Sequence, residues 1–542
     1  MSSRRTWAVG GAVAITALVG GWAALSGGGG ATPDTAFGPP RLVDETSAAG
    51  IDHVYDGDFT FYVGGGVAVF DCNGDTLPDI YFAGGENPAS LYRNQSEPGG
   101  ALSFAKVSGE TTDIGQVTGA YPVNIDGDEH ADLVVLRLGE NVVLRGLGDC
   151  QFERANEAWS MPGGDAWTVG FSTTWEGDSL RPTLAFGNYL HLDEAGQQFG
   201  GCADNALLRP DIDGYQETLL APGWCTLSIL FSDWDRSGSR DLRMTNDRHY
   251  YRDGEEQLWR VVEGEAPRLY TRQEGWHKMQ IWGMGIASQD VTGDGLPEVF
   301  LTSQADNKLQ TLEEGADGPS YGDIAIRRGV TAHRPFTGDE VSPSTAWHPE
   351  FQDVNNDGFV DLFVTKGNVE ATVGYATADP NNLLLGQPDG TFVEGAEGAG
   401  ILDTARSRGG ALADFNLDGL LDLVYVNRRE GSRLWRNLGS DEAGHWLSID
   451  LQQGDGNRNA IGAWIEVMAG DHLITRELTI GGGHAGGQLG STHFGLGPAE
   501  EAEIRVQWPD GETTAWMTVG ADQFVTLERG AAQPETILEP NR

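Results

Sequence analysis

Six times along this chain, oxygen-bearing side chains fall at positions 1, 3, 5 and 9 of one nine-residue frame. The copies supply Asp71, Asn73, Asp75 and Asp79; Asn124, Asp126, Asp128 and Asp132; Asp233, Asp235, Ser237 and Asp241. They continue with Asp290, Thr292, Asp294 and Glu298; Asp353, Asn355, Asp357 and Asp361; Asp414, Asn416, Asp418 and Asp422. Alternate side chains of a short loop point inward, and the carbonyl of position 7 adds a further oxygen. That set suits calcium, which takes about six to eight oxygens, better than octahedral magnesium. No soft ligands accompany the loops, so zinc and copper fit poorly. Three carboxylates per loop repel one another unless a cation joins them. One such run alone is an ordinary Asp/Asn/Gly turn; six in one frame predict up to six Ca2+ sites.

The loops are not EF-hands, which need a bidentate Glu at position 12 and flanking helices. Position 12 here is apolar or small, as at Val364. Each loop runs into a short apolar stretch, such as Asp79-Ile-Tyr-Phe, Asp132-Leu-Val-Val or Asp422-Leu-Val-Tyr. Runs of this kind predict buried strands, weakest after Asp241. The loops therefore link strands of a sheet. They begin at 71, 124, 233, 290, 353 and 414, and the widest gap is about two periods. A degenerate copy fills that gap, framed as Thr174 to Pro182, with too few carboxylates to hold a metal. Small-residue runs precede most loops (Gly64-Gly-Gly-Val, Gly283-Met-Gly-Ile, Gly409-Gly-Ala-Leu), and motifs such as Leu91-Tyr-Arg-Asn94 follow them. Seven repeats of about four strands predict an all-β, seven-bladed β-propeller with calcium-binding loops, followed by a small β-rich C-terminal domain. The 78 glycines suit a turn-dense β protein.

On these residues, 41–440 resembles the FG-GAP/VCBS repeats of integrin-α-type propellers. In the tail, Asn459-Ala-Ile-Gly462-Ala, Gly481-Gly-Gly-His484, His493-Phe-Gly-Leu-Gly497 and Trp508-Pro-Asp-Gly511 resemble the ASPIC/UnbV domain. Together they are similar to the cartilage acidic protein (CRTAC) family. Thr76 stands where Gly is usual, Asn124 opens the second loop, and His484-Ala-Gly-Gly-Gln488 departs from the family's Gly-rich segment. The resemblance implies calcium-stiffened loops at one end of the propeller and partner binding at the other.

Formal charge is −45, and six calcium ions leave it strongly negative. Nucleic acid and anionic membrane surfaces are therefore excluded as partners by bulk electrostatics. Residues 7–25 are uncharged behind Arg4 and Arg5, a signal sequence or single N-terminal membrane anchor over 1–26. Export to the periplasm, the cell surface or the medium agrees with weak calcium modules, which bind at about 10⁻⁴–10⁻³ M outside cells. Residues 27–40 read as a flexible linker, 41–440 as the propeller, 441–530 as the tail domain and 531–542 as a loose end. Cys202 and Cys225 are expected to pair; for Cys72 and Cys150 pairing and free thiols both stay open.

The chemistry-bearing motifs are sparse. Gly177-Asp-Ser179-Leu180 spells a hydrolase signature but lies in the degenerate loop, without the sheet, oxyanion hole and histidine that such a nucleophile needs. The polar, aromatic run Asn246 to Arg252, with Trp276 and His277, is more simply interblade packing than a ligand face. His484 and His493 flank what is more simply a packed turn than a glycan or peptide groove. No catalytic residue is assigned. The favoured reading is non-catalytic binding or adhesion to a protein, matrix or glycan. The alternatives are a polysaccharide lyase or hydrolase using Arg248, Tyr250, Tyr251 and His277 at the axis, and an envelope scaffold docking through the tail.

Overall fold

The computed structural model describes residues 36–107, 109–191, 201–247, 254–454 and 456–538. Among them, seven sheets form a ring of blades. Blade 1 holds Val67–Phe70, Asp79–Phe82, Ser90–Asn94 and Phe104–Val107, and blade 2 holds Val117–Val123, Asp132–Arg137, Val142–Gly146 and Phe152–Arg154. Blade 3 holds Thr168–Thr174, Thr183–Asn188, Asn205–Asp211 and Gly214–Leu220, and blade 4 holds Thr226–Ser232, Asp241–Asn246, Gln257–Arg260 and Arg268–Leu269. Blade 5 holds Gly283–Gln289, Glu298–Ser303, Lys308–Leu312 and Tyr321–Asp323, and blade 6 holds Ala346–Gln352, Asp361–Lys366, Asn382–Gly386 and Phe392–Glu394. Blade 7 takes Ser407–Ala413, Asp422–Asn427 and Arg433–Asn437 from one end of the ring and Leu42–Asp44 from the other. Leu42 pairs with Asn437 and Asp44 with Trp435, antiparallel.

The first strand of each blade lies innermost, and each touches the next, with Ser407–Ala413 returning to Val67–Phe70. These strands are sealed on both faces, so small and apolar residues run on without alternation, as in Thr226-Leu-Ser-Ile-Leu-Phe-Ser. The strand after Asp241, weakest in sequence, is fully buried over Asp241–Asn246.

The tail is two four-stranded sheets around one core. One runs Thr492–Gly497, His445–Gln452, Gln523–Glu528, Glu535–Leu538; the other runs His472–Glu477, Trp464–Ala469, Glu501–Gln507, Met517–Gly520. Leu447, Ile449, Ile465, Val467, Phe494, Ile504 and Val506 fill the space between them.

Three boundaries differ from expectation. The end at 531–542 is not loose throughout, since Glu535–Leu538 adds an edge strand, with Thr526 opposite Glu535 and Phe524 opposite Leu538. The linker is fixed over its described part, 36–40, because Phe37 N–H donates to Asp357 Oδ2 at 2.8 Å. The degenerate copy is framed one residue later than its sequence suggests. Thr174 pairs with Thr183 as Phe70 pairs with Asp79, which makes Thr183 the ninth position. Both Cys72–Cys150 and Cys202–Cys225 are disulfides. Among the described residues no helix is long and apolar enough to cross a membrane. Residues 1–26, with the signal or anchor reading, lie outside them.

Candidate metal centres beneath the C-terminal domain

Each nine-residue frame starts just after an innermost strand ends, and its ninth residue opens the next strand. One hydrogen-bond scheme holds all six turns. The side chain at position 1 accepts N–H groups from within the turn: Asp71 from Gly74 and Thr76, Asn124 from Gly127, Asp233 from Gly238. Asp290 accepts from Gly293 and Gly295, Asp353 from Asp357 and Gly358, Asp414 from Asp418 and Gly419. Position 5 accepts from position 7 wherever it is Asp, as at Asp75, Asp128, Asp294, Asp357 and Asp418.

Position 9 braces strands. Asp79 accepts from Cys72 and Asn94, Asp132 from Ile125 and Gly146, Asp361 from Val354 and Gly386, Asp422 from Phe415 and Asn437. The longer Glu298 takes Val291 N–H and Thr311 Oγ1 instead. Among the described residues, the one trio of His, Cys, Asp or Glu ligand atoms within 4.8 Å of one another is Cys72, Asp79 and Cys150, and those cysteines form a disulfide. In the loops the carboxylates stand apart on backbone N–H groups.

Charge and donor chemistry sort the six loops. In the Asp414 loop, burial and then the Asp418 charge push Asp414 up to about 8. Asp422 is pushed well above its ordinary range by burial and then by Asp414. Asn416 is fully buried; its amide donates to Asp418 Oδ2 and Gly100 O, while its Oδ1 accepts nothing. The Asp353 loop is alike: burial and Asp357 raise Asp353, and burial with Asp353 raises Asp361. Burial pushes Asp79 and Glu298 to about 7. Carboxylates raised by burial and by one another fit a hard divalent cation, which Asp71, Asn73, Asp75, Asp79 and their counterparts in the Asp290, Asp353 and Asp414 loops would hold; Asn416 Oδ1 is free for it, whereas Asn355 Oδ1 already accepts Asp357 N–H at 3.2 Å.

Two loops fit less well. Arg145 Nε lies 2.7 Å from Asp126 and its Nη2 3.1 Å from Asp128, so a guanidinium already supplies positive charge there. Asp241 takes Trp234 Nε1, Tyr270 OH and Val261 N–H together. In blade 3 the charge problem is solved internally: Arg209 clamps Glu176 at 2.8 and 2.9 Å, and Thr183 Oγ1 donates to Glu176 Oε1.

The tail packs against this face, leaving the tips of the Asp71 and Asp290 loops, with Asp75 and Asp294, exposed. Arg236 stacks 4.5 Å over Trp464 and reaches Glu466 and Gln507, both at 3.0 Å. Arg240 donates to Gly462 O and Pro509 O. Glu477 accepts Asp233 N–H and Ser232 Oγ–H, and Arg476 reaches Gln289, Gln352 and Phe351 O. His493 meets Asn356 Oδ1 at 2.7 Å and stacks on Trp446. Between the domains remains a cavity of about 560 Å³, lined by Asp71, Asn124, Asp414 and Leu417 on one side and Ile449, Asp450 and Phe524 on the other.

From the tail, Ile480 to Leu489 enters the ring and meets every innermost strand. Ser172 Oγ donates to Ile480 O at 2.6 Å; Gly482 N–H donates to Ile229 O and Gly483 N–H to Ile286 O, both at 2.7 Å. His484 N–H donates to His348 Nδ1 (3.1 Å), Ala120 N–H to Ala485 O (3.1 Å) and Val69 N–H to Gly487 O (3.1 Å). Gly409 faces His484 O, where a Cβ would stand at 2.9 Å. Gln488–Leu489 adds a parallel strand to blade 1. His484, fully buried, donates from Nδ1 to Met284 O and accepts Gly64 N–H at Nε2; burial lowers its pKa to about 3, so it stays neutral.

Sequence reasoning took this segment for a turn, though a signal was present. The small-residue runs are small because the plug's backbone and the neighbouring blade lie against them: a Cβ on Gly66 or Gly119 would overlap Ala485 of the plug, and one on Gly285 would overlap Trp347 O of blade 6 and stand 2.9 Å from Gly483 O. Of the residues offered for catalysis at the axis, Arg248, Tyr250 and Tyr251 lie outside the described residues. His277 is exposed and bonds Ser320, away from the ring's centre.

The model for the FG-GAP-like repeat matches residues 71–135 and 353–425, and that for ASPIC and UnbV matches 453–534. Cartilage acidic protein 1 of Mus musculus is 29% identical over 167 residues, covering 29% of this chain and 23% of that protein. The Homo sapiens protein is also 29% identical over 167 residues, covering 29% and 22%. The match thus spans under a quarter of either relative. Among solved structures, an Agrocybe aegerita lectin recognising non-reducing terminal N-acetylglucosamine aligns with a TM-score of 0.37 at 16% identity, covering 69% of this chain and 94% of that one.

Proposed function

We propose that this chain, which carries FG-GAP-like repeats and an ASPIC/UnbV domain, is an exported, calcium-binding and non-catalytic binding protein of the adhesion type. The observation that carries this reading is the filled axis. A propeller enzyme working at its centre needs an open channel there, and Ile480 to Leu489 occupies it with contacts to all seven blades. The tail packs against the metal-loop face, which leaves the loops at the opposite ends of the strands for a partner. Several are long, such as 330–345 and 367–381, and they expose Val341 and Val373. Their partner is a protein, matrix or glycan surface. The scaffold alternative is weakened because the tail's loop-facing side is already committed to the ring.

Calcium supports this role by neutralising the buried carboxylates that hold the blades in register. A ligand binding only the folded state adds about 2.7 kcal/mol per site at a hundred times its Kd. The test is a thermal melt of the full chain in millimolar calcium, in magnesium and in chelator. A reversible rise specific to calcium is expected, followed by calcium-dependent retention on a panel of glycans and matrix proteins. Identical melts in all three media would remove the calcium reading.

A further inference from the structure

We propose that cation binding in the metal loops and docking of the C-terminal domain are one coupled equilibrium: calcium fastens the tail, and the docked tail raises calcium affinity. The inference rests on the calcium reading above and deepens it. It starts from position 4 of the frame, which is left-handed in all six loops. Its occupants are Gly74, Gly127, Arg236, Gly293, Asn356 and Leu417, with φ between 54° and 77°. Glycine adopts this conformation without steric strain and Asn tolerates it, whereas Arg and Leu are strained in it. Three loops nevertheless carry a side chain there, and all three aim at the tail. Arg236 reaches Glu466, Gln507 and Trp464. Asn356 meets His493 through Oδ1 and Gly497 N–H through its carbonyl. Leu417 is buried and lines the interdomain cavity opposite Ile449 and Phe524.

The docking residues and the cation ligands share one stretch of backbone. In the Asp353 loop, the N–H groups of Asp357 and Gly358 hold the Asp353 carboxylate, immediately after Asn356. In the Asp414 loop, Asp418 and Gly419 do the same for Asp414, immediately after Leu417. The tail presses on these turns directly. A Cβ on Gly495 would overlap Asp353 Oδ2, and one on Gly419 would overlap the Trp446 indole. The buried Asn416 Oδ1, which accepts no hydrogen bond, marks the Asp414 loop as a site with an oxygen waiting for a ligand. A cation that fixes positions 1, 3 and 5 therefore fixes the platform on which the tail sits, and linkage makes the effect reciprocal.

The test uses the full chain and two readouts. Hydrogen–deuterium exchange over residues 479–497 is compared in calcium and in chelator. Calorimetric calcium titration then compares the natural chain with the triple variant R236G/N356G/L417G, whose glycines keep the left-handed turn and delete the tail contacts. Slower exchange in calcium is expected, with calcium affinity about tenfold weaker in the variant at unchanged stoichiometry. Calcium binding of equal affinity in both chains, with exchange indifferent to calcium, overturns the coupling and leaves the calcium reading standing. No calcium binding by the natural chain overturns both. If the variant does not fold, exchange in the natural chain decides alone.

Discussion

Blades 3 and 7 build the same eight-residue turn between paired strands and neutralise it in opposite ways. In blade 3, Glu176 is clamped by Arg209, whose guanidinium also reaches Val262 O and Glu265 O. In blade 7, Asp414, Asp418 and Asp422 stand apart on backbone N–H groups; Arg436 makes only a long ion pair with Asp418, 3.9 Å, and among the described residues no cationic side chain bonds Asp414 or Asp422. The turn itself does not need a metal. In blade 3 a guanidinium of the chain supplies positive charge to it, and in blade 7 no side chain does so at bonding distance among the described residues. Blade 2 lies between them, with a full set of loop residues and Arg145 already at Asp126 and Asp128.

The widest break in this comparison is to remove the internal cation. Arg209→Met strands the mostly buried Glu176 and should cost about 3 kcal/mol in denaturant unfolding, equally in calcium and in chelator. Asp414→Asn should do the reverse. In chelator Asp414, pushed up to about 8 by burial and by Asp418, is already largely protonated at neutral pH, so the neutral amide changes little and the apo protein melts no lower than the natural chain. In saturating calcium it forfeits about 2.7 kcal/mol of the stabilisation the natural chain gains. A medium-independent loss would show that Asp414 is only a turn brace. The smallest effect sharpens the middle case. Arg145→Leu removes a half-exposed ion pair of about 1 kcal/mol or less in chelator. It should strengthen calcium binding at the Asn124 loop, seen as one additional or tighter site by calorimetry. An unchanged isotherm would mean that Asn124 disables that loop regardless of Arg145.

Much of the ring was legible because its determinants are local. Each frame's first and ninth residues mark strand boundaries, since side-chain oxygens there satisfy backbone N–H groups a few residues away. The apolar runs that follow give the second strands. What escaped lay in pairings between distant parts of the chain. Nothing near Leu42 says that it lies beside Asn437, and nothing near Glu176 points to Arg209, thirty-three residues on. The one-residue error in framing blade 3 arose because the frame was counted from its surviving polar residues, whereas the register is set by Thr174 opposite Thr183. The candidate ligands were found by type and spacing, but their division into loops with and without internal donors to the carboxylates required the guanidinium of Arg145 and the neutral donors Trp234 and Tyr270 to be placed in space.

The plug also sets an order of events in the life of the chain. Every blade precedes residues 480–489 in the chain, so the glycine-lined inner strands are all made before the segment that lies against them exists. The contacts between residues 480–489 and the seven innermost strands are long-range in sequence, the class of contact that slows folding. The ring is filled from the inside, by a segment made after every blade and before the last strands of the tail.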